Sequence, residues 1–257
     1  MSMFNIRRKA LMMGLLLGLC LLFVVSGTTA VSPPSAQPQT TIILYDGAAG
    51  GTPDTQQLYY QTWPLIGAAA NQSYADGATT LDTTPNIDEY AGYGTDDLPT
   101  LDRAVGYSAE FTIQVLAETH TSDDRAGFGF TILGEDLQGI ALNFWQDEVW
   151  ASEGGSNDLF QHAEGAAFDT TTALIHYKLV VLGNIYTLFA NDSQILSGPL
   201  RNYTAFEPPP PLPINPYTIP NSLGLGDNTT SASAQVKLSF VAVTADNHNI
   251  FLPIITQ

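Results

Sequence analysis

Hydrophobic and polar residues alternate with a period of two along five segments of the chain. The segments cover residues 109–119, 127–133, 140–150, 176–196 and 234–245. Such alternation is typical of antiparallel strands that have one face buried and the other face in solvent. No long stretch beyond the apolar N-terminal run keeps the 3.6-residue period of a helix. The pattern therefore predicts an all-β fold, an antiparallel two-sheet β-sandwich.

The segment IALNFWQDEVW, residues 140–150, is predicted to form one strand of this sandwich. Its apolar even-numbered residues indicate the core face: Ile140, Leu142 and Phe144. Asn143, Trp145 and Asp147 then share the open face, because successive side chains on a strand alternate. For the same reason Asp147 and Glu148 point to opposite faces. They therefore cannot form the pair of carboxylates that a glycosidase places on either side of one sugar.

A glycine is expected beside Trp145 on the open face. If the turn GEDLQG pairs Phe128 with Phe144, Gly127 lies opposite Trp145, and after a shift of two residues Gly129 does. One interpretation is that the glycine leaves room for a ligand stacked on the indole. The other is that the indole only covers the gap that the glycine leaves. Polar residues of neighbouring strands are expected on the same face: Thr131, Thr112 and Gln114, with His176 or Lys178 as further candidates.

Residues 1–30 are predicted to be a secretory signal peptide. Three basic residues precede an unbroken apolar run over residues 10–25, and small residues follow up to position 30. This three-part layout is typical of export signals. The alternative is a single membrane anchor, although the run is shorter than the roughly 20 residues needed to span a bilayer. We expect a secreted or cell-surface protein without an integral membrane anchor after cleavage.

The remaining chain is predicted to be a linker followed by one domain. Residues 31–40 are rich in Pro, Ser and Gln and need not fold. Residues 41–257 are predicted to form a single sandwich domain, a size that suits one β unit. A proline-rich insertion over residues 207–220 is expected to run as an extended surface connection. The apolar segment FLPII near the C-terminus is interpreted as a final strand, with a sorting tail as the alternative.

The charge and the cysteine content of the chain exclude several classes of partner and chemistry. The chain carries 25 acidic and 8 basic residues, a formal net charge of −17, and three of the basic residues belong to the predicted signal peptide. A field of this sign repels nucleic acid and anionic membranes, so neither is expected as a partner. Cys20, the one cysteine of the sequence, also lies in the signal peptide. Disulfides and thiolate chemistry are therefore excluded from the mature protein.

Two segments resemble a known superfamily. HYKLVVLGNIYTLFANDSQIL and LGLGDNTTSASAQVKLSFVAVT are similar to a hairpin and the closing strand of concanavalin A-like, laminin G-like jelly rolls. The wider arrangement, from LYDGAAGGTPDTQQ through TTLDTT and RAGFGFTIL to NFWQDEVWA, resembles secreted bacterial proteins with choice-of-anchor domains. The resemblance implies a concanavalin A-like jelly roll. It implies no particular function, because one fold serves many functions.

The sequence contains no motif that assigns a catalytic residue or a metal ligand. The carboxylate motif E-x-D-x-x-E of jelly-roll glucanases is absent, and so is the G-x-S-x-G turn of serine hydrolases. Acidic loops lie at residues 94–102, 121–125 and 224–230. Ca²⁺ prefers such oxygen ligands, although none of the loops has the spacing of a known calcium motif. No cofactor is assigned, and calcium stays open as an alternative.

These observations favour a lectin-like, non-catalytic protein that binds extracellular polysaccharide or matrix glycan. The predicted ligand-binding residues are Asn143, Trp145, Asp147, Thr131 and Gln114, with Trp145 as the stacking platform. One alternative is a polysaccharide-active enzyme, a hydrolase or lyase. It requires a second acid, or a His/Tyr pair, brought beside Asp147 or Glu148 by another strand. The other alternative is a structural cell-envelope protein with no small ligand.

Overall fold

The computed structural model describes residues 39–209 and 214–246. The predicted signal peptide, most of the predicted linker and the FLPII segment therefore lie outside the described residues. The described part folds into sixteen strands with short 3₁₀ turns at Gly47–Ala49, Pro53–Thr55 and Pro216–Thr218. The strands are β1 Gln39–Asp46, β2 Tyr59–Trp63, β3 Asn71–Ala75, β4 Ala78–Asp82, β5 Tyr90–Thr95, β6 Tyr107–His120, β7 Gly129–Leu133, β8 Gln138–Phe144, β9 Glu148–Ser152, β10 His162–Ala167, β11 Ile175–Leu182, β12 Ile185–Ala190, β13 Ser193–Pro199, β14 Arg201–Asn202, β15 Ser222–Gly226 and β16 Ala232–Asp246.

The strands form two antiparallel sheets. Sheet A has the order β13-β12-β11-β6-β16-β4-β3, and β1 also pairs with β16. Sheet B has the order β10-β9-β8-β7-β15-β5-β2, and β14 also pairs with β8. The predicted fold class, an all-β antiparallel two-sheet β-sandwich, is confirmed. Within the described residues, no helix has the length and apolar character to cross a membrane.

The core lies between the two sheets and follows the predicted alternation. Phe111 of sheet A stacks on Phe130 of sheet B with ring centroids 4.3 Å apart. The residues predicted to face inward on β8 are fully buried: Ile140, Leu142 and Phe144. Burying one side chain of this size stabilises the fold by roughly 1.5–3 kcal/mol. The period-two pattern therefore placed the core residues correctly because each strand has one face against the other sheet.

A second, smaller core covers part of the outer face of sheet B, the face turned away from sheet A. Tyr203 and Tyr217 pack there against Ala141 and Leu133, and Phe160 stacks on Tyr203 at 5.8 Å. Tyr217 belongs to the proline-rich insertion, of which residues 210–213 lie outside the described part. The insertion therefore lays a buried aromatic ring on the sheet, which its prediction as a surface connection did not include.

The domain begins slightly earlier than predicted. Strand β1 starts at Gln39, inside the segment 31–40 that the composition predicts as linker. Gln39 pairs with Asp246, the last residue of β16, so the first and last described strands lie side by side in sheet A. Ladder hydrogen bonds to β16 order the end of the linker, a contact that composition does not reveal.

Candidate functional site

Residues 140–150 form a hairpin, and the prediction of one strand is wrong. Strand β8 ends at Phe144, β9 begins at Glu148, and Trp145 N donates to Glu148 O at 2.9 Å across the turn. Gln146 and Asp147 are exposed at the tip of this turn. After the turn the core face changes from even to odd positions, with Val149 and Ala151 in the core. Apolar residues on both sides of the turn hide this reversal in the sequence.

The predicted pairing of β7 with β8 has the first of the two proposed registers. Phe144 N donates to Phe128 O at 3.0 Å, and Gly129 pairs with Asn143. A Cβ atom on Gly127 would lie 2.1 Å from the carbonyl carbon of Ser233. Gly127 therefore makes room for the backbone of β16. It leaves no space for a ligand on the indole and no gap for the indole to cover.

Trp145 is packed inside a cluster of rings and is not an open platform. The imidazole of His120 stacks on the indole at 4.3 Å with an interplanar angle of 11°. The edge of His162 approaches from 5.1 Å and the ring of Trp150 from 5.5 Å. The indole N–H donates to Arg125 O at 2.7 Å. These neighbours occupy the ring surface that a stacked sugar would need.

The other predicted binding residues separate onto different surfaces. Asn143 and Thr131 lie on the outer face of sheet B, where Asn143 is 8% exposed and donates to Ser152 Oγ at 2.8 Å. Asp147 lies in the hairpin turn at the end of that sheet. Gln114 lies on β6 of sheet A and donates to Thr171 O at 2.6 Å. Alternation assigns a residue to a face of its strand but does not say which sheet that strand joins.

The remaining candidates for the open face also belong to sheet A. Thr112 pairs with His176, and Glu110 pairs with Lys178, across β6 and β11. Thr112 Oγ1 lies 3.2 Å from His176 Nδ1, and Lys178 Nζ lies 2.9 Å from Glu110 Oε1. These are cross-strand pairs on an exposed sheet face. They take no part in the surface around Trp145 or Asn143.

A buried acid and an exposed imidazole stand beside Trp145, and the sequence did not predict them there. His120 Nδ1 lies 3.0 Å from Glu118 Oε2, and the Glu118 side chain is only 3% exposed. Gly127 N donates to Glu118 Oε1 at 3.3 Å. Burial raises the pKa of Glu118, and the nearby charge of Asp147 acts in the same direction, against the lowering effect of His120. Glu118 is therefore an acid that keeps its proton more readily than a free side chain.

These groups line a shallow depression at one end of the sandwich, which we call the end depression. Its volume is about 400 Å³, and it lies where the last residues of β6 meet the turn between β8 and β9. Six residues line it: Glu118, Thr119, His120, Trp145, Gln146 and Asp147. The fold thus brings a second acid and a histidine from sheet A beside Asp147.

A second histidine–glutamate pair lies behind the end depression. His162 Nε2 lies 3.3 Å from Glu148 Oε1, and its Nδ1 lies 2.9 Å from Asp123 O. The His162 ring stacks on the fully buried Trp150 at 4.3 Å and 18°. Both ring nitrogens therefore have partners within the protein. This histidine holds β10 against the hairpin and has no nitrogen left for a ligand.

The part of the outer face of sheet B that the second core leaves uncovered has a floor of glycine. The sheet register aligns Gly129, Gly226 and Gly92 in one row across three strands, and Gly224 and Gly94 in the next. Their strand neighbours point into the core, so these glycines face outward. A Cβ atom on Gly224 would meet nothing closer than Tyr93 O at 3.9 Å. The floor is therefore open at Gly224, whereas the ring of Tyr59 lies over Gly94 and Thr131 stands beside Gly224 on β7.

Side chains rise on both sides of this floor and make it a groove along the strands. On one side Asn143 on β8 and the second core form the wall. On the other side β2 presents Tyr59, which is 53% exposed and lies over Gly94, and Gln61. The walls are four strand spacings apart, about 19 Å between strand axes. We call this the glycine groove.

The acidic loops do not assemble a metal centre among the residues that the structure describes. No group of three or more His, Cys, Asp or Glu side chains is placed there to hold an ion. Asp102 Oδ1 accepts from Ala104 N at 2.7 Å, and Asp124 pairs with Arg125 at 3.0 Å. Asp227 is buried and accepts from Thr83 Oγ1 at 2.7 Å. Calcium stays an expectation from the sequence.

Comparisons with known proteins establish the fold. No protein-family model and no curated protein sequence matches this chain. Among solved structures, a conserved carbohydrate esterase of the Shiga toxin-encoding bacteriophage phi24B matches 80% of this chain and 100% of that chain. The TM-score is 0.54 and the identity is 12%.

Two carbohydrate-related domains match less well. The carbohydrate recognition domain of Emp46p, in its potassium-bound form, has a TM-score of 0.49 at 9% identity and covers 78% of this chain and 95% of that one. The exoplasmic/lumenal domain of VIP36, in its Ca²⁺/Man-bound form, has a TM-score of 0.45 at 8% identity and covers 81% and 90%. Likeness at identities this low carries no site from one protein to another.

Proposed function

We propose that the protein is a secreted or cell-surface lectin-like protein that binds neutral extracellular glycan in the glycine groove. The observation that carries the proposal is the open floor at Gly224 beside the exposed ring of Tyr59. Gly224 on β15, where a Cβ atom would meet nothing closer than 3.9 Å, lets a ligand approach the sheet backbone closely. Tyr59 then offers the apolar ring face that a sugar ring packs against, while its hydroxyl offers a hydrogen bond.

Polar groups along the groove suit sugar hydroxyls. Asn143 Nδ2 is held by Ser152, and its Oδ1 lies 3.4 Å from the position of a Cβ on Gly129. This orientation aims the amide oxygen over the floor as a hydrogen-bond acceptor. Thr131 and Gln61 add groups that both donate and accept. Of the predicted ligand-binding residues, Asn143 and Thr131 keep that role in this proposal, whereas Trp145, Asp147 and Gln114 do not.

Charge favours a neutral glycan. The four strands that carry the floor and the Tyr59 wall contain no charged residue: β2, β5, β7 and β15. The whole chain has a formal net charge of −17. A polyanionic glycan such as a polyuronate would meet repulsion without a basic partner in the groove. The groove itself has no pair of carboxylates on its floor, so its proposed role is binding rather than cleavage.

Two further observations support the proposal without identifying the ligand. The fold is shared with a phage carbohydrate esterase at a TM-score of 0.54. The predicted signal peptide of residues 1–30 and the resemblance to choice-of-anchor proteins favour an extracellular location, where polysaccharide is the accessible partner.

Filling the floor tests the groove directly. The Gly224→Val variant adds a side chain into open space, so folding is tolerated while the floor is raised. We expect Gly224→Val and Tyr59→Ala each to weaken binding of neutral oligosaccharides at least about tenfold by calorimetry or glycan array. Tyr74→Ala, at an exposed tyrosine of sheet A, is the matched control and should bind normally. Unchanged binding in both groove variants, or no binding by the wild type to any neutral glycan, contradicts the proposal. The second outcome favours a structural envelope protein.

A further inference from the structure

The end depression holds groups that the glycine groove does not use. We propose that it is a separate hydrolytic site, in which His120 and Asp147 cleave the glycosidic bond of a neutral glycan. Cleavage needs a proton donor and a carboxylate that face one sugar. Asp147 alone could not supply both, and β6 of the other sheet brings the missing group to its side.

His120 has the arrangement of a proton donor. Its Nδ1 lies 3.0 Å from the buried carboxyl group of Glu118, which orients the ring. The stack on Trp145 at 4.3 Å fixes the plane of the ring. Among the described residues, the contacts of this ring use Nδ1 and the ring face, which leaves Nε2 for a substrate. Glu118 is thus a positioning residue, and His120 is the group that would touch the glycosidic oxygen.

Asp147 has the arrangement of the base. It is exposed at the tip of the hairpin turn and lines the same depression as His120. Phe168 N donates to Asp147 O at 2.8 Å, so the turn that carries the carboxylate is tied to the following segment. A carboxylate in this position can accept a proton from water. The two groups lie in different settings, because His120 is stacked on an indole and held by Glu118 whereas Asp147 is exposed.

The reaction balances with water as its one co-reactant. His120 Nε2–H transfers its proton to the glycosidic oxygen as the bond from that oxygen to the anomeric carbon breaks. Asp147 takes a proton from a water molecule, whose oxygen bonds to the anomeric carbon. The products are the alcohol of the leaving sugar and a hemiacetal. Solvent then removes the proton from Asp147 and returns one to His120.

Charge around the depression selects this reaction over ester hydrolysis or elimination. Asp147 lines the depression, and Glu148 is the residue after it. Arg125 is the basic residue nearest to His120 in the sequence, and its guanidinium is paired with Asp124 at 3.0 Å. A negative field stabilises the positive charge that develops on a sugar ring during glycoside cleavage. The same field opposes the oxyanion of ester hydrolysis and the carbanion of elimination.

The test uses substrates that differ in how much they need a proton donor. The probes are 4-nitrophenyl glycosides of glucose, galactose, mannose and xylose in both anomers, together with xylan, mannan and β-glucan. Nitrophenolate leaves without help, whereas a sugar alcohol does not. His120→Phe keeps a ring on Trp145, and it should lower the rate on the cleaved polysaccharide by about 10² or more but spare the nitrophenyl glycoside. Asp147→Ala should lose activity on both, and added formate should restore part of it.

Matched controls separate this site from general effects. His176→Phe changes an exposed histidine on sheet A, and Asp192→Asn changes a turn aspartate with a positive φ that asparagine accepts. Both should cleave at the wild-type rate. The proposal is overturned if the His120→Phe/Asp147→Ala double variant cleaves every substrate at the wild-type rate. It is also overturned if neither protein cleaves any of the substrates. Gly224→Val changes the glycine groove and keeps the end depression intact. Cleavage of nitrophenyl glycosides by this variant therefore tests the hydrolytic site independently of glycan binding in the groove.

Discussion

The imidazole of His120 lies flat against the indole of Trp145, with ring centroids 4.3 Å apart. The two residues belong to different sheets, because His120 ends β6 and Trp145 begins the turn between β8 and β9. The stack therefore ties the sheets together at one end of the sandwich. It makes Trp145 a packing residue and leaves His120 as the ring at the surface of the end depression.

Replacing Trp145 by alanine should destabilise the protein as a core substitution does. The indole contacts three other rings and donates one hydrogen bond, so we expect a loss of about 3 kcal/mol in the free energy of unfolding. An exposed platform would lose less than about 1 kcal/mol. Tyr59→Ala, at a ring that is 53% exposed, is the control in the same urea titration. Equal small losses in both variants would show that Trp145 is not packed as described.

Local sequence patterns predicted the strands and several turns because those features depend on neighbouring residues. Leu182 pairs with Ile185 around the predicted Gly183-Asn184 turn, and Gly183 has the positive φ of 62° that such a turn needs. The turn at Asn191-Asp192 is also confirmed, with φ values of 46° and 66°. Asparagine and aspartate tolerate this left-handed backbone better than most residues.

The end depression is formed by contacts between strands, and the sequence pattern of a single strand does not reveal them. Glu118 and His120 lie 25 or more residues before Trp145 in the sequence, and only the pairing of two sheets brings them together. Gln114 was placed on the wrong sheet for the same reason. One signal was available: glycine at every second position of YAGYGT and SLGLG, two strands that prove to be neighbours. That period-two glycine pattern predicts a strand face without side chains.

Gly127 and Gly224 provide a matched test of packing, because a side chain at Gly127 would meet the backbone and one at Gly224 would not. Gly127→Ala would place its Cβ 2.1 Å from the Ser233 carbonyl carbon, whereas the same change at Gly224 meets nothing within 3.9 Å. We expect Gly127→Ala to cost about 3 kcal/mol through displacement of β16. Gly224→Ala should stay within about 0.5 kcal/mol of the wild type. Thermal and urea unfolding measure both, and a similar cost at the two sites would contradict the packing of Gly127.

Arg201 should be a stability determinant in neutral solution and much less so in acid. Its guanidinium donates to Glu153 Oε1 at 2.9 Å and to Glu164 Oε1 at 2.9 Å, and the arginine side chain is 6% exposed. Arg201→Met leaves two carboxylates without their cation, so we expect a loss of about 3–5 kcal/mol near neutral pH. Arg103→Met, at the exposed pair with Asp136, should lose less than about 1 kcal/mol.

The pH dependence of the Arg201 effect has a definite sign. Hydrogen bonds from Arg201 lower the pKa of Glu153. Burial raises the pKa of Glu164, but Arg201 and Tyr186 lower it by more. Stability from carboxylates with lowered pKa values is present above the unfolded-state value of about 4.3 and is lost as the pH falls below it. The gap between wild type and Arg201→Met should therefore narrow below about pH 4, and a constant gap would contradict the ion pairs.

Asp227 should make the protein less stable as the pH rises, which is the opposite of the Arg201 cluster. Its carboxyl group is 4% exposed, accepts from Thr83 Oγ1 at 2.7 Å and from Thr229 N at 3.1 Å. Burial raises its pKa to about 8 despite these hydrogen bonds, and the charge of Glu118 adds to the effect. In the unfolded chain the same group has a pKa of about 4. The folded protein therefore holds a proton that the unfolded chain releases between these two values.

From this group alone, the free energy of unfolding should fall by about 1.4 kcal/mol per pH unit between about pH 4 and pH 8. Asp227→Asn carries no charge at any pH and keeps an oxygen that accepts from Thr83, so it should remove this dependence. The variant should match the wild type near pH 4 and become progressively more stable than it towards pH 8. Urea titrations of both proteins at each pH give the difference, in which the other titrating groups cancel. A difference that does not grow with pH would mean that Asp227 is ionised in the folded protein and that its environment is more polar than the buried contact with Thr83 indicates.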